Sequence, residues 1–347
     1  MQTFELKPGK LTINNIKSLL NSHQSISVID SAWYEVNDAE KVVHDIIRKN
    51  KTVYGINTGC GLLAHTKIKA NNLADLQRRI LLSHAAGTGE LLADDIVKLI
   101  LLFKVNSLAR GHSGVRPIII ETLLQFYNQG IYPCVPAKGS VGASGDLAPL
   151  AHLCLPLIGE GQVRYQGNII SGREALELIH QQPINLAPKE GLALINGTQV
   201  STAIAIYYLL QAERLLNAAI KIGALTVDAA SGSVVPFDAR IHDIRGQHGQ
   251  IMVAKQLREL LAGSDILAAH QLCDKIQDPY SLRCQPQVLG ACLDNFRHAE
   301  TILATEANAV TDNPLIFAEE NDILSGGNFH AAPVAQIADL LAIVITE

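Results

Sequence analysis

None of the six cysteines stands in a C-x-x-C pair. They are Cys60, Cys134, Cys154, Cys273, Cys284 and Cys292, and their spacing suits neither a zinc site nor a small disulfide framework. They read as free thiols of a reducing, cytoplasmic protein, and Cys60 reads as packing rather than chemistry. No H-E-x-x-H or other clustered histidine pattern occurs, so no protein-built metal site is expected. Basic clusters are missing too. Lys and Arg number 28 against 33 Asp and Glu, a net charge of −5 with a pI of about 6.2. That balance argues against a nucleic-acid partner or an anionic membrane surface. The N-terminal stretch Met1 to Lys7 has neither an apolar core nor a secretion pattern. Long apolar runs are interrupted: Leu91 to Leu108 is broken by Asp94, Asp95, Lys98 and Lys104, so none reads as membrane-spanning. Internal repeats, low-complexity tracts and flexible linkers are absent.

What remains is a chain of 347 residues, 48% of them apolar, enough for roughly two domains with a large core. The first part mixes short strands and helices. Ser25 to Ile29 alternates like a strand. Asn37 can cap a helix with Glu40 in capping-box spacing, and Val42, Val43, Ile46 and Ile47 then share a face. Lys51 to Tyr54 reads as another short strand, followed from Gly55 to about Lys67 by a loop. Within that loop Gly59-Cys60-Gly61-Leu62-Leu63-Ala64 matches a dinucleotide fingerprint. The second strand that fingerprint requires is replaced by a helical pattern, Asn71 to Ala86, so nucleotide binding is not expected. Pro117 suits the start of a helix and Gly130 its end. Gln162 to Ile170 reads as a hairpin with Gly167 in the turn. Most of the rest is long helix, about Thr198 to Ile222, His248 to Ala262, Pro286 to Ala309, and Ala331 onward. Wide apolar faces on such helices have to be buried against other helices. The expected fold is therefore mainly α: an N-terminal mixed α/β domain over 1–110, then a long-helix bundle over 111–347.

The stretch richest in chemical possibility is Gly139-Ser140-Val141-Gly142-Ala143-Ser144-Gly145-Asp146-Leu147-Ala148-Pro149-Leu150. Glycines here allow positive φ and close backbone approach. Three readings compete. One is a plain loop feeding a helix, with Asp146 as a first-turn acid. Another is a serine nucleophile on a tight turn, although the G-x-S-x-G elbow would need glycine where Asp146 stands. In the third, the Gly145 amide nitrogen attacks the Ala143 carbonyl carbon in a compressed loop. Loss of water, including the Ser144 hydroxyl, then leaves an exocyclic methylidene on a five-membered ring, an electrophile that no ordinary side chain supplies.

The stretch resembles the prosthetic-group loop of the aromatic amino acid ammonia-lyases and aminomutases, most closely their histidine-specific branch. The resemblance covers essentially the whole chain. It runs through Tyr54-Gly55-Ile56-Asn57-Thr58-Gly59, Ser83-His84, Asn196-Gly197-Thr198, Gln277-Asp278-Pro279-Tyr280-Ser281-Leu282-Arg283 and Gly326-Gly327-Asn328-Phe329-His330. Five such blocks in order form a specific signal. The resemblance implies the third reading: a methylidene-imidazolone made from Ala143, Ser144 and Gly145, with no external cofactor. The implied reaction removes ammonia and a β-proton from L-histidine to give urocanate. A covalent route divides that difficult elimination into easier steps.

Family roles map onto these positions. Tyr54 is the expected base, its phenol needing nearby donors or positive potential to act near neutrality. Asn196 holds the ring carbonyl and withdraws electrons, an oxyanion-type role; read alone, it is a helix cap. Arg283 presents a planar fork suited to the substrate carboxylate. Tyr280 and Gln277 line the site, three and six residues before Arg283, with Pro279 arguing against a regular helix there. Phe329 is an apolar wall, and His84 in Ser83-His84 points to imidazole recognition. The family also implies a homotetramer and a site glutamate in a C-terminal third that would lie beyond Glu347. On that expectation the bundle is truncated and the chain alone has little activity. The alternatives are a tyrosine or other aromatic amino acid lyase or aminomutase, and a non-catalytic helical fragment.

Overall fold

A computed structural model describes residues 3–49, 52–58, 68, 72–269 and 276–347. Its contacts divide the chain into two compact units, Met1–Ala205 with Leu303–Val334, and Ile206–Ile302 with Ala335–Glu347. The division expected at Arg110 is not the one these contacts draw, for the residues that follow it pack back on the N-terminal part.

The first unit opens with β1 (Phe4–Leu6), α1 (Ile13–Leu20), β2 (Ile26–Val28) and α2 (Asp30–Arg48). β1 and β2 pair in parallel, Leu6 opposite Val28, which requires a crossover between them, and α1 supplies it. Thr12 and Asn15 close a capping box on α1. The strand read at Ser25 to Ile29 is present. The helix start read at Asn37 is not: α2 begins at Asp30, and Asn37 lies inside it, donating to the Trp33 carbonyl at 2.7 Å. Ala32, Val36, Ala39, Val42 and Val43 form its buried stripe. Nor do the described residues before Tyr54, Thr52 and Val53, form the strand read at Lys51 to Tyr54. Residues 52–58 fold as a turn in which the Ile56 and Asn57 amides donate to the Val53 carbonyl and Asn57 Oδ1 accepts from the Val53 amide. Ile56 sinks into a cluster with Ala39, Val42, Val43 and Ile316, which holds the turn down. The fingerprint look-alike with Cys60, and also Cys273, lie outside the described residues.

Next come α3 (Leu73–His84), β3 (Thr88–Leu91), α4 (Asp94–Leu108), α5 (Pro117–Gln129), β4 (Tyr132–Pro133) and β5 (Pro136–Lys138). α4 is buried along its whole length from Ile96 to Leu108. Its two lysines survive there by donating to the open carbonyl ends of other helices. Lys98 Nζ lies 2.7 Å from the Leu19 and Ser22 carbonyls behind α1. Lys104 does the same further along. α5 starts at Pro117 and stops at Gly130, whose φ of 67° is left-handed. α6 (Leu147–Cys154), β6 (Gln162–Tyr165), β7 (Asn168–Ser171), α7 (Gly172–Leu178) and α8 (Glu190–Ile195) follow. Gln166 and Gly167, both at positive φ, make the β6–β7 turn, and β4 adds to the outer edge of β6.

α9 (Gln199–Ala229) leaves the first unit for the second. The second unit contains α10 (Ala239–Asp243), α11 (His248–Leu261), α12 (Asp265–Ala269), α13 (Tyr280–Arg283) and most of α14 (Gln285–Ala307). Its core joins Ile220, Ala224 and Val227 of α9 to Val253, Leu257 and Leu261 of α11, with Leu289 and Leu293 of α14 packed on them. α11 and α14 cross on glycine. A Cβ on Gly249 would sit 2.1 Å from the Gly290 carbonyl oxygen, and one on Gly290 would sit 2.4 Å from the Gln250 Cα. From Leu303 the chain is again in the first unit, with a hairpin of β8 (Leu315–Phe317) and β9 (Asp322–Leu324), and α15 (Ala332–Thr346) belongs from Ala335 onward to the second. The long helices are thus where the apolar periodicity puts them, inside a mainly helical fold. Among the described residues, one stretch, Glu190–Ala229, is long and apolar enough to cross a membrane; 72% of its most apolar window is buried in the protein, as expected of a core helix.

Candidate active site

The glycine-rich loop is closed on itself by short bridges linking Gly142 and Ala143 to Gly145. Gly142 and Gly145 take φ of 78° and 81°, the left-handed region that favours glycine. At Gly145 the need is also steric: a Cβ there would lie 2.6 Å from the Gly197 carbonyl oxygen and 2.8 Å from its nitrogen. Ala143 and Ser144 are exposed, while Gly145 and Asp146 are buried. Asn196 Nδ2 donates to the Ser144 carbonyl oxygen at 2.8 Å.

Asp146 is more than a first-turn acid. It precedes α6, yet its carboxylate makes no capping bond to that helix. It accepts instead from the Ser201 amide at 2.8 Å, from the Ser201 hydroxyl, and from the Ser140 hydroxyl at 2.6 Å. Ser201 is the third residue of α9, so its amide is one of the open N–H groups of that helix end. Asp146 therefore caps a helix that starts some fifty residues away in sequence and favours its positive pole. Its own amide donates to the Gly197 carbonyl at 2.7 Å. Loop and helix start are fastened from both sides.

Asn196 sits at the C-terminus of α8, with extended backbone and its amide on the Leu192 carbonyl. It is a helix C-cap, not the N-cap that its place before Thr198 suggested. Around it lies a set of groups that sequence reasoning did not single out. Lys104 Nζ donates to the Ala193 and Asn196 carbonyls at 2.7 and 3.0 Å, and Cys154 Sγ reaches the Leu194 carbonyl at 3.9 Å. Burial lowers Lys104 to about 8, opposed by Cys154, Asp312 and Asp146, and raises the Cys154 thiol to about 12. Lys189 pairs with Asp312 at 2.6 Å, both buried, and Asp312 also accepts from Ser113. Thr311 Oγ1 accepts from the Thr198 amide and the Gln199 side chain. Glu306 accepts from Thr198 Oγ1 at 2.6 Å, with burial pushing its carboxyl up. The one signal for these in sequence is the polar run Thr311-Asp312-Asn313 inside an apolar context, which is buried as a block.

Tyr54 is half-buried in its turn. The following Gly55 packs against Leu192 of α8 and against Pro314; a Cβ there would lie 2.7 Å from the leucine. The Tyr54 turn is thus seated on the helix that ends at Asn196. Phe329 is half-buried in the loop before α15, and that loop touches the electrophile segment through the Ala331 amide, 3.0 Å from the Gly142 carbonyl. His84 ends α3, half-exposed, with Nδ1 2.8 Å from the Ile80 carbonyl. A carbonyl only accepts, so Nδ1 carries a proton, and in the neutral ring the lone pair is then on Nε2. Close by, the Gly87 amide donates to His152 Nε2 at 3.0 Å, and burial lowers that imidazole.

The second unit carries Gln277, Tyr280 and Arg283. Pro279 caps α13, so Gln277 lies outside the helix, as the proline implied. The three still converge. The Arg283 guanidinium stacks over the Tyr280 ring at 4.5 Å, and Gln277, with its amide oxygen turned inward, accepts from Arg283 Nη1 at 3.2 Å. Gln277 and Arg283 line a cavity of about 320 Å³ with Ser233, Asp278 and Cys284. Among the described residues, no group of three or more His, Cys, Asp or Glu could hold a metal ion.

A model of the aromatic amino acid lyase family matches residues 11–347. A histidine ammonia-lyase of Idiomarina loihiensis is 55% identical over 348 residues, spanning 100% of this chain and 68% of its own. One from Pseudoalteromonas atlantica is 56% identical over 346 residues with the same coverage. Among solved structures, histidine ammonia-lyase from Trypanosoma cruzi superposes with a TM-score of 0.89 at 35% identity, covering 99% of this chain and 65% of that one. Pantoea agglomerans phenylalanine aminomutase gives 0.92 at 30% identity, covering 99% and 69%.

Proposed function

The chain belongs to the aromatic amino acid lyase family, and from that premise we propose that it eliminates ammonia from L-histidine to give urocanate. The relatives named above as histidine ammonia-lyases, at 55% and 56% identity, support the substrate.

The observation that carries the mechanism is the Asn196 bond to the Ser144 carbonyl at 2.8 Å. Closure of Gly145 nitrogen onto Ala143 carbon consumes the Ala143 carbonyl and leaves that of Ser144 as the ring carbonyl. The residues fit such a ring: the Gly145 nitrogen has no side chain beside it, and the Gly197 backbone fills the space a Cβ would take. Once formed, a methylidene-imidazolone supplies an electrophilic carbon for the substrate amine. Asn196 then serves as a preorganised donor where negative charge develops. Tyr54 is the proposed base for the β-proton. The Arg283 fork, braced by Tyr280 and Gln277, is proposed to take the substrate carboxylate. Phe329 is the proposed apolar wall. His84, with Nδ1–H held by Ile80, offers Nε2 to an imidazole N–H, a contact that a phenyl ring cannot make. Cytoplasmic location and a homotetramer, without nucleic-acid or membrane partners, complete the proposal.

The test is product formation from L-histidine against L-tyrosine, together with the mass of the segment around Ser144. However slow the turnover, urocanate in preference to the tyrosine product, and a segment short by two waters, are expected. Preference for tyrosine would overturn the substrate, and an unmodified Ala143-Ser144-Gly145 would overturn the chemistry.

A further inference from the structure

Lys104 is the least expected charge in the first unit. It lies in the middle of α4 at 1% exposure, where an ammonium persists only when its donors are satisfied. Its two hydrogen-bond partners among the described residues are both at one place, the carbonyls of Ala193 and Asn196 at the end of α8. The Asn196 peptide is consequently held at both ends, its amide by Leu192 and its carbonyl by Lys104. Cys154 takes the intervening Leu194 carbonyl. Because burial raises that thiol to about 12, it stays protonated and remains a donor. A six-residue helix is too short to hold its own last turn rigidly, and these side-chain donors replace the hydrogen bonds that a continuing helix would have supplied. Among the described residues, the side chain of this clamp that bonds to the electrophile loop is that of Asn196, on the Ser144 carbonyl.

We propose that Lys104 is a positioning residue for the electrophile: by binding the Asn196 and Ala193 carbonyls it fixes the Asn196 amide on the Ser144 carbonyl. The inference rests on the reading of function above. Lys104 touches neither the loop nor substrate and acts only through Asn196. A donor held to within a few tenths of an ångström is worth more at a developing charge than one free to swing. Three charged groups act on this ammonium besides burial: the carboxylates of Asp312 and Asp146 oppose the lowering and Lys189 adds to it, and with a value of about 8 it is charged at neutrality; the protonated Cys154 thiol adds no charge.

The experiment measures how fast the loop is trapped by an added small thiol, read as intact mass, in the full chain. Wild type, Lys104→Met, Asn196→Ala and the double variant are compared, with thermal midpoints alongside. Lys104→Met is expected to slow trapping at least about fivefold, and to add less than twofold once Asn196 is already alanine, because the two act as one unit. Lys104→Gln keeps a donor without the charge; it is expected to fall between wild type and Lys104→Met, and it carries the test if Lys104→Met fails to fold. Equal trapping by wild type and these variants, or full losses that multiply in the double variant, overturns the positioning role and leaves the proposed function standing. A wild-type chain that has not lost two waters overturns the function itself, and this inference with it.

Discussion

Ser144 contributes one exposed hydroxyl to a loop whose backbone is fastened by its neighbours. Ser144→Ala is therefore expected to abolish the electrophile while changing stability by less than about 0.5 kcal/mol; mass and a thermal melt check the two halves separately. Arg283→Lys keeps the charge and loses the planar fork. A fall in kcat/KM of at least about tenfold, or about 1.4 kcal/mol of transition-state binding, is expected; equal kinetics would place the substrate carboxylate elsewhere. Lys104 has a pH signature. Its folded value of about 8 lies below the ordinary 10.5, so from about pH 8 to 10.5 the unfolded chain binds more protons and stability from this group rises with pH. The gain is on the order of 3 kcal/mol and vanishes in Lys104→Met, as unfolding curves across that window would reveal. At this scale the loop was legible in sequence, because each of its glycines answers a backbone need. Lys104, Glu306 and Lys189 were not, because what makes them unusual is burial against residues far off in the chain.

Helices were read well wherever large apolar residues mark one face, as in α5, α9 and α11. The start of α2 was missed because its first buried positions are Ala32, Val36 and Ala39, a stripe too weakly apolar to outweigh a plausible cap at Asn37. The strand read before Tyr54 failed for a different reason: side-chain bonds from Asn57 and Thr58 to the backbone bend the segment into a turn. The α11–α14 crossing could not be read at all, since Gly249 and Gly290 look like weak points within helices until the two backbones are seen to meet. That contact yields a prediction. Gly290→Ala must push α11 and α14 apart and is expected to destabilise the second unit by about 1–3 kcal/mol, measured as a lowered denaturant midpoint. An unchanged or raised midpoint would mean the helices separate freely.

Across the whole chain, the division into units cuts the candidate residues into two sets. Tyr54, His84, the electrophile loop, Asn196 and Phe329 belong to the first, and Gln277, Tyr280 and Arg283 to the second. The sequence could not reveal that division, because the first unit is completed by residues 303–334 returning after the long helices. The five motif blocks could still be read in order, since chain order is independent of how the units are assembled. Every role assigned to them depends on one covalent event at Ala143-Ser144-Gly145. The most direct measurement is therefore the mass of the proteolytic peptide spanning 139–150 from the purified chain. A peptide lighter by two waters than its sequence requires, with the loss confined to Ala143-Ser144-Gly145 and at most one water lost in a Ser144→Ala sample, is the predicted result. A peptide of full mass would contradict the account at its centre.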